Sequence, residues 1–319
     1  MTRRRMSMIR YSLTKLFYLI LSLWVLASVT FLLMKAIPGD PFMSEKAVPP
    51  EIRARLMAQY GLDKPLYEQY FVYLSNLAKG DLGISMKMQD REVGQMIRDA
   101  FPYSLKLGVV SIIVSVVIGV SLGMVAALRH RKLLDSASMV IAVLGVSVPS
   151  FVLASFFQYS FGVKLKWLHV VGLNGPLDYI MPTLALSALP IAFIARLTRS
   201  NMLEVLTADY IKTAKAKGLS GGAIIRRHVL RNGILPVVTY LGPLTANVVT
   251  GSFIIEQIFG IGGLGKIFVT SISNRDYSLI MGITLFYGLI LMCARFITDI
   301  AYGIIDPRIT LISRKEKAA

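Results

Sequence analysis

The sequence predicts an all-α polytopic membrane protein of six transmembrane helices, and three observations carry that prediction. Six long runs without a charged residue recur along the 319 residues, which are 55% hydrophobic and 17% charged. Most of these runs approach or exceed the length needed to cross a hydrocarbon core of about 30 Å. Lys and Arg crowd alternate connecting segments, as the retention of basic residues in short cytoplasmic loops requires. Ionisable side chains are absent from the interiors of the runs, as expected where an unpaired charge is costly.

The first run, Leu16–Met34, follows a basic N-terminal segment. It is longer than the apolar core of a cleaved signal and is read as a retained span. The segment Lys35–Lys106 is too long for a plain connector. Within it, PPEIRARLMAQYG reads as a short helix with Pro at its start, Ile52, Leu56 and Tyr60 on one face, and Gly61 at its end. Pro65 to Leu77 repeats the scheme with Leu66, Tyr70, Tyr73 and Leu77, ending near Gly80. Both are expected to lie on the outer face of the spans.

The second run, Leu107–Leu128, has a small residue at every fourth position: Ser111, Ser115, Gly119, Gly123 and Ala127. Such a stripe lets another helix approach closely, and packing is its expected use. In the third run, Ser136–Val163, Pro149 is expected to bend the helix, as are Pro182 and Pro190 in the fourth, Tyr179–Ala195. The last two runs are Gly233–Ile255 and Tyr277–Ala294, and Arg295 and Asp299 have the spacing of an intrahelical pair. Pro149 and two amides expected to be buried, Gln158 and Asn247, are the candidate substrate-path residues. Helix bending and interhelical hydrogen bonding are their structural alternatives.

With the N-terminus inside, the cytoplasmic segments hold 21 basic and six acidic residues, and the outer segments 14 and 12. The net charge of +17 is therefore distributed by membrane side, which disfavours a nucleic-acid binder. One cysteine, Cys293, excludes an internal disulfide, and His130, His169 and His228 have no ligand spacing. FGIGGLGK, Phe259–Lys266, mimics two nucleotide-binding patterns. It lacks the Ser or Thr that a phosphate loop needs after its lysine, and it lacks the strand and later acid of a dinucleotide site. No metal or cofactor is expected.

The 36 residues Arg196–Arg231 carry eight Lys or Arg against two acids. They read as helix, glycine stop, helix. Asp209 is the expected cap of Tyr210–Lys217, Gly218 the left-handed stop, and Ser220 the cap of a run through Asn232. Tyr210, Ile211 and Ala214 share a face, with Lys212 and Lys215 pointing away. A pair this short, unable to bury itself, is expected to dock on something. A solvated basic loop is the alternative.

YIKTAKAKGL, followed by HVLRN and by ILP at Ile234–Pro236, resembles the cytoplasmic coupling loop of ABC-importer permeases, and more narrowly of their oligopeptide and dipeptide branch. Lys212, Thr213 and Ala214 stand where the general family has Glu-Ala-Ala, and Gly218 to Pro236 is longer than in sugar-type permeases. The peptide branch shows both departures. IPGDPF, GLDKPLYEQY, KGDLGIS, GSFIIEQIFGIGGLG, SNRDYSLIMG and YGIIDPRI extend the resemblance over nearly the whole chain, although relatives usually have proline at Gly262. The resemblance implies the type I importer permease fold in a bacterial inner membrane with both termini cytoplasmic. It also implies a second permease subunit, cytoplasmic ATPases that bind the ATP, an extracytoplasmic binding protein and a peptide substrate. The long outer loop is then a candidate receiver of the binding protein. On the basic segment Arg196–Arg231, Tyr210, Ile211, Thr213, Ala214, Lys215, Ala216, Gly218, Arg227 and His228 form the candidate coupling surface. Dipeptide, nickel or sugar is the alternative cargo, and a secondary transporter or channel the alternative class.

Overall fold

The computed structural model describes residues 2–37, 41–42, 49–88, 90–173, 175–249 and 252–305. Pro38–Asp40 of IPGDPF, Gly251, residues 306–309 of YGIIDPRI and the side chain of Asp299, the expected partner of Arg295, lie outside the described residues.

Regular structure among the described residues is helical, with one isolated bridge between Ile84 and Glu92. The order is α1 (Thr2–Ala36), α2 (Pro50–Gln59), α3 (Leu66–Ala78), α4 (Val93–Leu128), α5 (Leu133–Ser147), α6 (Ser150–Phe157) and a π-helical segment Gln158–Lys164. A 3-10 turn (Pro176–Tyr179) leads into α7 (Ile180–Thr207), α8 (Asp209–Ala216), α9 (Gly221–Ile224), a second π segment (Ile225–Val229) and α10 (Leu230–Gly233). The chain closes with α11 (Leu235–Val249), α12 (Phe253–Ile258), α13 (Leu264–Asn274) and α14 (Tyr277–Ile305).

Among the described residues, four stretches are long and apolar enough to cross a membrane: Leu13–Ala36, Val93–Leu128, Pro176–Thr207 and Tyr277–Ile297. α5 and the α6–π segment make a fifth only if the pair, bent by 101°, counts as one span. The cause is local. A residue before proline is driven out of the helical region, and Val148 before Pro149 is extended at φ −95°, ψ 122°. Pro149 therefore breaks the expected third span rather than merely bending it. Pro182 has the opposite fate, standing third in α7 where a missing N–H costs no hydrogen bond. Pro190 also sits inside α7 without dividing it.

The expected fifth span is divided too. Gly233–Ile255 is shared among α10, α11 and α12. Among the described residues, the fifteen of α11 rise about 22 Å. Ser252 restarts the helix, its side chain accepting from Ile255 N–H at 3.4 Å.

α4 and α7 form the centre of the bundle. All five small residues of the stripe are buried. A Cβ on Gly123 would stand 2.5 Å from the Ala195 carbonyl oxygen, so the two backbones touch there. Ser187 of α7 donates to the Ser111 carbonyl of α4 at 3.0 Å. α4 starts well before the apolar run, and its early turns bury Val93, Met96, Ile97 and Ala100 against Leu264, Leu279 and Ile283. α1 packs on α14 and α3. Asp276 caps α14 through Leu279 N–H at 3.2 Å and receives Met86 N–H at 3.1 Å and the Ser85 hydroxyl. It thereby pins the segment after α3 to the last helix.

Candidate functional site

The basic segment leaves the bundle as an extension of α7 and folds back on itself. α8 starts after Ala208, whose extended φ −66°, ψ 146° makes it the cap residue without a side-chain bond. Asp209 is therefore the first helical residue, not the cap, and its carboxylate takes Lys212 Nζ at 2.8 Å instead. Both side chains are exposed, so this pair contributes little.

The glycine stop forms as expected. Gly218 has φ +80°. Leu219 N–H bonds the Ala214 carbonyl at 3.2 Å and Gly218 N–H the Lys215 carbonyl at 2.9 Å, the two bonds of a Schellman ending. Leu219 then packs on the cluster that holds Ala214. Ser220 accepts from Ala223 N–H at 3.4 Å and starts the next helical run, which reaches Gly233 through the π segment Ile225–Val229.

α8 does bury itself, against the expectation of an unpartnered pair. Ile211 and Ala214 enter a core with Ala127, Met202, Ile224 and Val229. Tyr210 does not share that face. It is 46% exposed, its hydroxyl accepts from Asn232 Nδ2 at 3.3 Å, and its ring lies 6.4 Å from that of His228. The open side of the elbow carries Tyr210, Thr213, Lys215, Ala216, Gly218 and Arg227, with His228 partly covered. The result is a polar, basic ledge whose underside is continuous with the core under α7. Displacing α8 must strain the end of α7.

One tie beside this ledge was not legible in the loop motif. Asp135, just before the Ser136–Val163 run, is buried and takes Arg199 Nε at 2.6 Å and Arg199 Nη2 at 2.9 Å, a bidentate pair between α5 and α7. Arg131 N–H adds a bond at 3.0 Å, and His130 Nδ1 lies 3.3 Å away. The Arg199 guanidinium holds the Asp135 carboxyl well below the usual carboxylate range.

At the other end of the bundle, the nucleotide-like FGIGGLGK has a structural use. Glu256 is fully buried, immediately after the fifth apolar run. Its Oε2 receives Gly265 N–H at 2.7 Å and Lys266 N–H at 3.4 Å, and its Oε1 receives the Ser104 hydroxyl at 2.7 Å. Ser104 Oγ in turn accepts from Leu264 N–H at 2.9 Å. The start of α13, where an anion would sit, is thus filled by this chain's own carboxylate. Its place next to the glycines was the sequence signal for that role.

The path candidates separate. Gln158 opens the first π segment and spends its Nε2 on the Val170 and Ile258 carbonyls at 2.9 and 3.0 Å, tying the loop before α7 to the end of α12. Pro149 sits at the break between α5 and α6. Asn247 lies on the exposed side of α11 rather than buried.

Residues 119–311 match the family described as binding-protein-dependent transport system inner membrane component, and residues 8–108 match the N-terminal domain of such membrane components. The dipeptide transport system permease protein of Bacillus subtilis is 47% identical over 304 residues, covering 95% of this chain and 99% of that protein. The oligopeptide transport system permease proteins of Haemophilus influenzae and Escherichia coli K12 are 44% and 41% identical, each covering 95% of this chain and 99% of theirs. A crystal structure of an amino acid ABC transporter with histidines is 15% identical and superposes with a TM-score of 0.52 over 65% of this chain and 92% of that one, which shows the shared fold. With two family matches spanning most of its length, the chain belongs to the binding-protein-dependent transport system inner membrane components, the permease subunits of ABC importers, within their oligopeptide and dipeptide branch.

Proposed function

We propose that this chain is one of two permease subunits that enclose the path of a peptide importer, and that Arg196–Arg231 is where a separate cytoplasmic ATPase subunit docks. The observation that carries the reading is the elbow at Gly218. Its underside is locked into the core that holds the end of α7, while its outer side is open, polar and basic. A push on such a ledge reaches the spans directly. Peptide cargo is supported by the relatives, which transport dipeptides or oligopeptides by their names. The charge asymmetry supports a bacterial inner membrane with both termini in the cytoplasm, and a binding protein then delivers cargo at the opposite face. ATP is bound by the partner subunits. Pro149, at a helix break, and Asn247, exposed on α11, are the side chains proposed to face the path.

The test is Gly218→Val in the assembled importer. No atom stands within 4 Å of the missing Cβ, so the substitution is unhindered in space and penalised only by positive φ. That strain is about 1–2 kcal/mol, felt at the elbow and not in the spans. The expected outcome is normal abundance, weakened ATPase co-purification and loss of most peptide uptake, with Gly218→Asn much milder. Normal uptake with the ATPase attached would sink the coupling role.

A further inference from the structure

α2 and α3 follow one another in the chain but differ in chemistry. α2 exposes Glu51, Arg53 and Arg55 in a ten-residue helix, as a wetted helix does. α3 has thirteen residues and one charge, Glu68. One side of α3 is committed to α1. The Tyr70 hydroxyl shares a hydrogen bond with Ser28 Oγ at 2.6 Å, the Tyr73 ring stacks on Phe31 with centroids 5.6 Å apart, and Gln69 Oε1 accepts from Lys35 Nζ. The other side is apolar as well: Leu66, Tyr67, Phe71 and Val72 are 50–66% exposed. A helix between a core and water carries a polar outer face, whereas the outer face of α3 exposes these four large apolar side chains with Ser75 beside them.

Depth on α1 identifies what covers that face. Ser28 and Phe31 lie inside the apolar run Leu16–Met34, and Ser28 is about 12 Å along the axis from the end of α1 at Ala36. At the same level Val25, Val29, Leu32 and Leu33 of α1 are about half exposed, in a stretch long and apolar enough to cross a membrane. Lys35 marks the boundary. Its ammonium lies 5.6 Å from the Phe31 ring centre, at the end of the apolar run. We propose that α3 is an interfacial membrane helix, its Leu66, Tyr67, Phe71 and Val72 face immersed in lipid continuously with the exposed face of α1. Tyr67 suits the aromatic layer near the headgroups and Phe71 the acyl side of it.

The test uses the complete importer in bilayers and needs no transported solute. With Cys293→Ser as background, a nitroxide is attached at Phe71→Cys, at Tyr67→Cys and, as the wetted control on α2, at Arg55→Cys. Spin relaxation is read with oxygen, which partitions into lipid, and with a charged nickel chelate, which stays in water. Positions 67 and 71 should favour oxygen, with nickel accessibility several-fold below that at 55. Equal nickel access at 67, 71 and 55 would mean a wet surface and overturn the proposal. Exclusion of both reagents would mean cover by a partner protein and overturn it too. Tyr67→Cys decides the matter alone if Phe71→Cys lowers abundance.

Discussion

The side chains that matter most to the ledge differ in how they act. Gly218 works through backbone conformation, whereas Asp135 works through charge. The bidentate Asp135–Arg199 pair is half hidden, with Arg199 27% exposed and Asp135 6%, so its loss is costly without being catastrophic. Asp135→Asn leaves a guanidinium without its counter-ion, and a drop in stability of about 1–3 kcal/mol is expected, read from unfolding of the purified protein. Because Arg199 depresses the carboxyl, this contribution is fully present above its unfolded value near 4 and is lost only as pH falls through the lower folded value. The pair itself should thus confer no pH dependence between about 5 and 8. Unchanged stability in Asp135→Asn would contradict the assigned ion pair. Neither this pair nor Ser104–Glu256 was legible beforehand, since the partners stand 64 and 152 residues apart. Local patterning reports which face a residue is on, not what it meets there. The cap of α8 was misread for a different reason. Asp is a good cap residue in general, but Ala208 already takes the extended conformation that ends α7, leaving Asp209 inside the helix.

Among the elements, the α4–α7 seam is the one the sequence described best. Small residues four apart form one face of a helix whatever surrounds it, and here that face meets α7 at backbone distance. Gly123→Val should therefore be the sharper of two valine substitutions: its Cβ falls 2.5 Å from a carbonyl oxygen and 2.6 Å from Thr198 Cβ. Overpacking at this level costs about 1–3 kcal/mol or more, seen as lowered abundance and melting temperature. Gly218→Val, strained only at the elbow and clashing with nothing, should lower both less. If Gly123→Val melts as the wild type does, the seam is looser than the geometry states. The breaks were harder to read. Proline content marks where a helix is vulnerable, but whether it bends, breaks or passes depends on position. Pro182 sits in a first turn, Pro190 is tolerated, and Pro149 ends one helix and begins another at 101°. The division of Gly233–Ile255 had no charge to announce it.

For the molecule as a whole, the proposed coupling depends on the proposed orientation, which rests on loop charge. A cytoplasmic reporter fused after Ala319 should be active, and its periplasmic counterpart silent. The reverse result would put Arg196–Arg231 on the far side from any ATP. The general fold was readable because apolar length and loop charge survive any arrangement of the helices, whereas the assembly of those helices is tertiary. That assembly pairs the first helix with the last: α1 packs on α14, with Leu26 set against the bare backbone of Gly288. The two residues are separated by almost the entire length of the chain. At about 5–20 residues per second, a ribosome needs tens of seconds between emitting one and emitting the other. Throughout that delay the face of α1 meant for α14 stands in the bilayer without its partner. The bundle is closed by the arrival of α14, not by the insertion of α1.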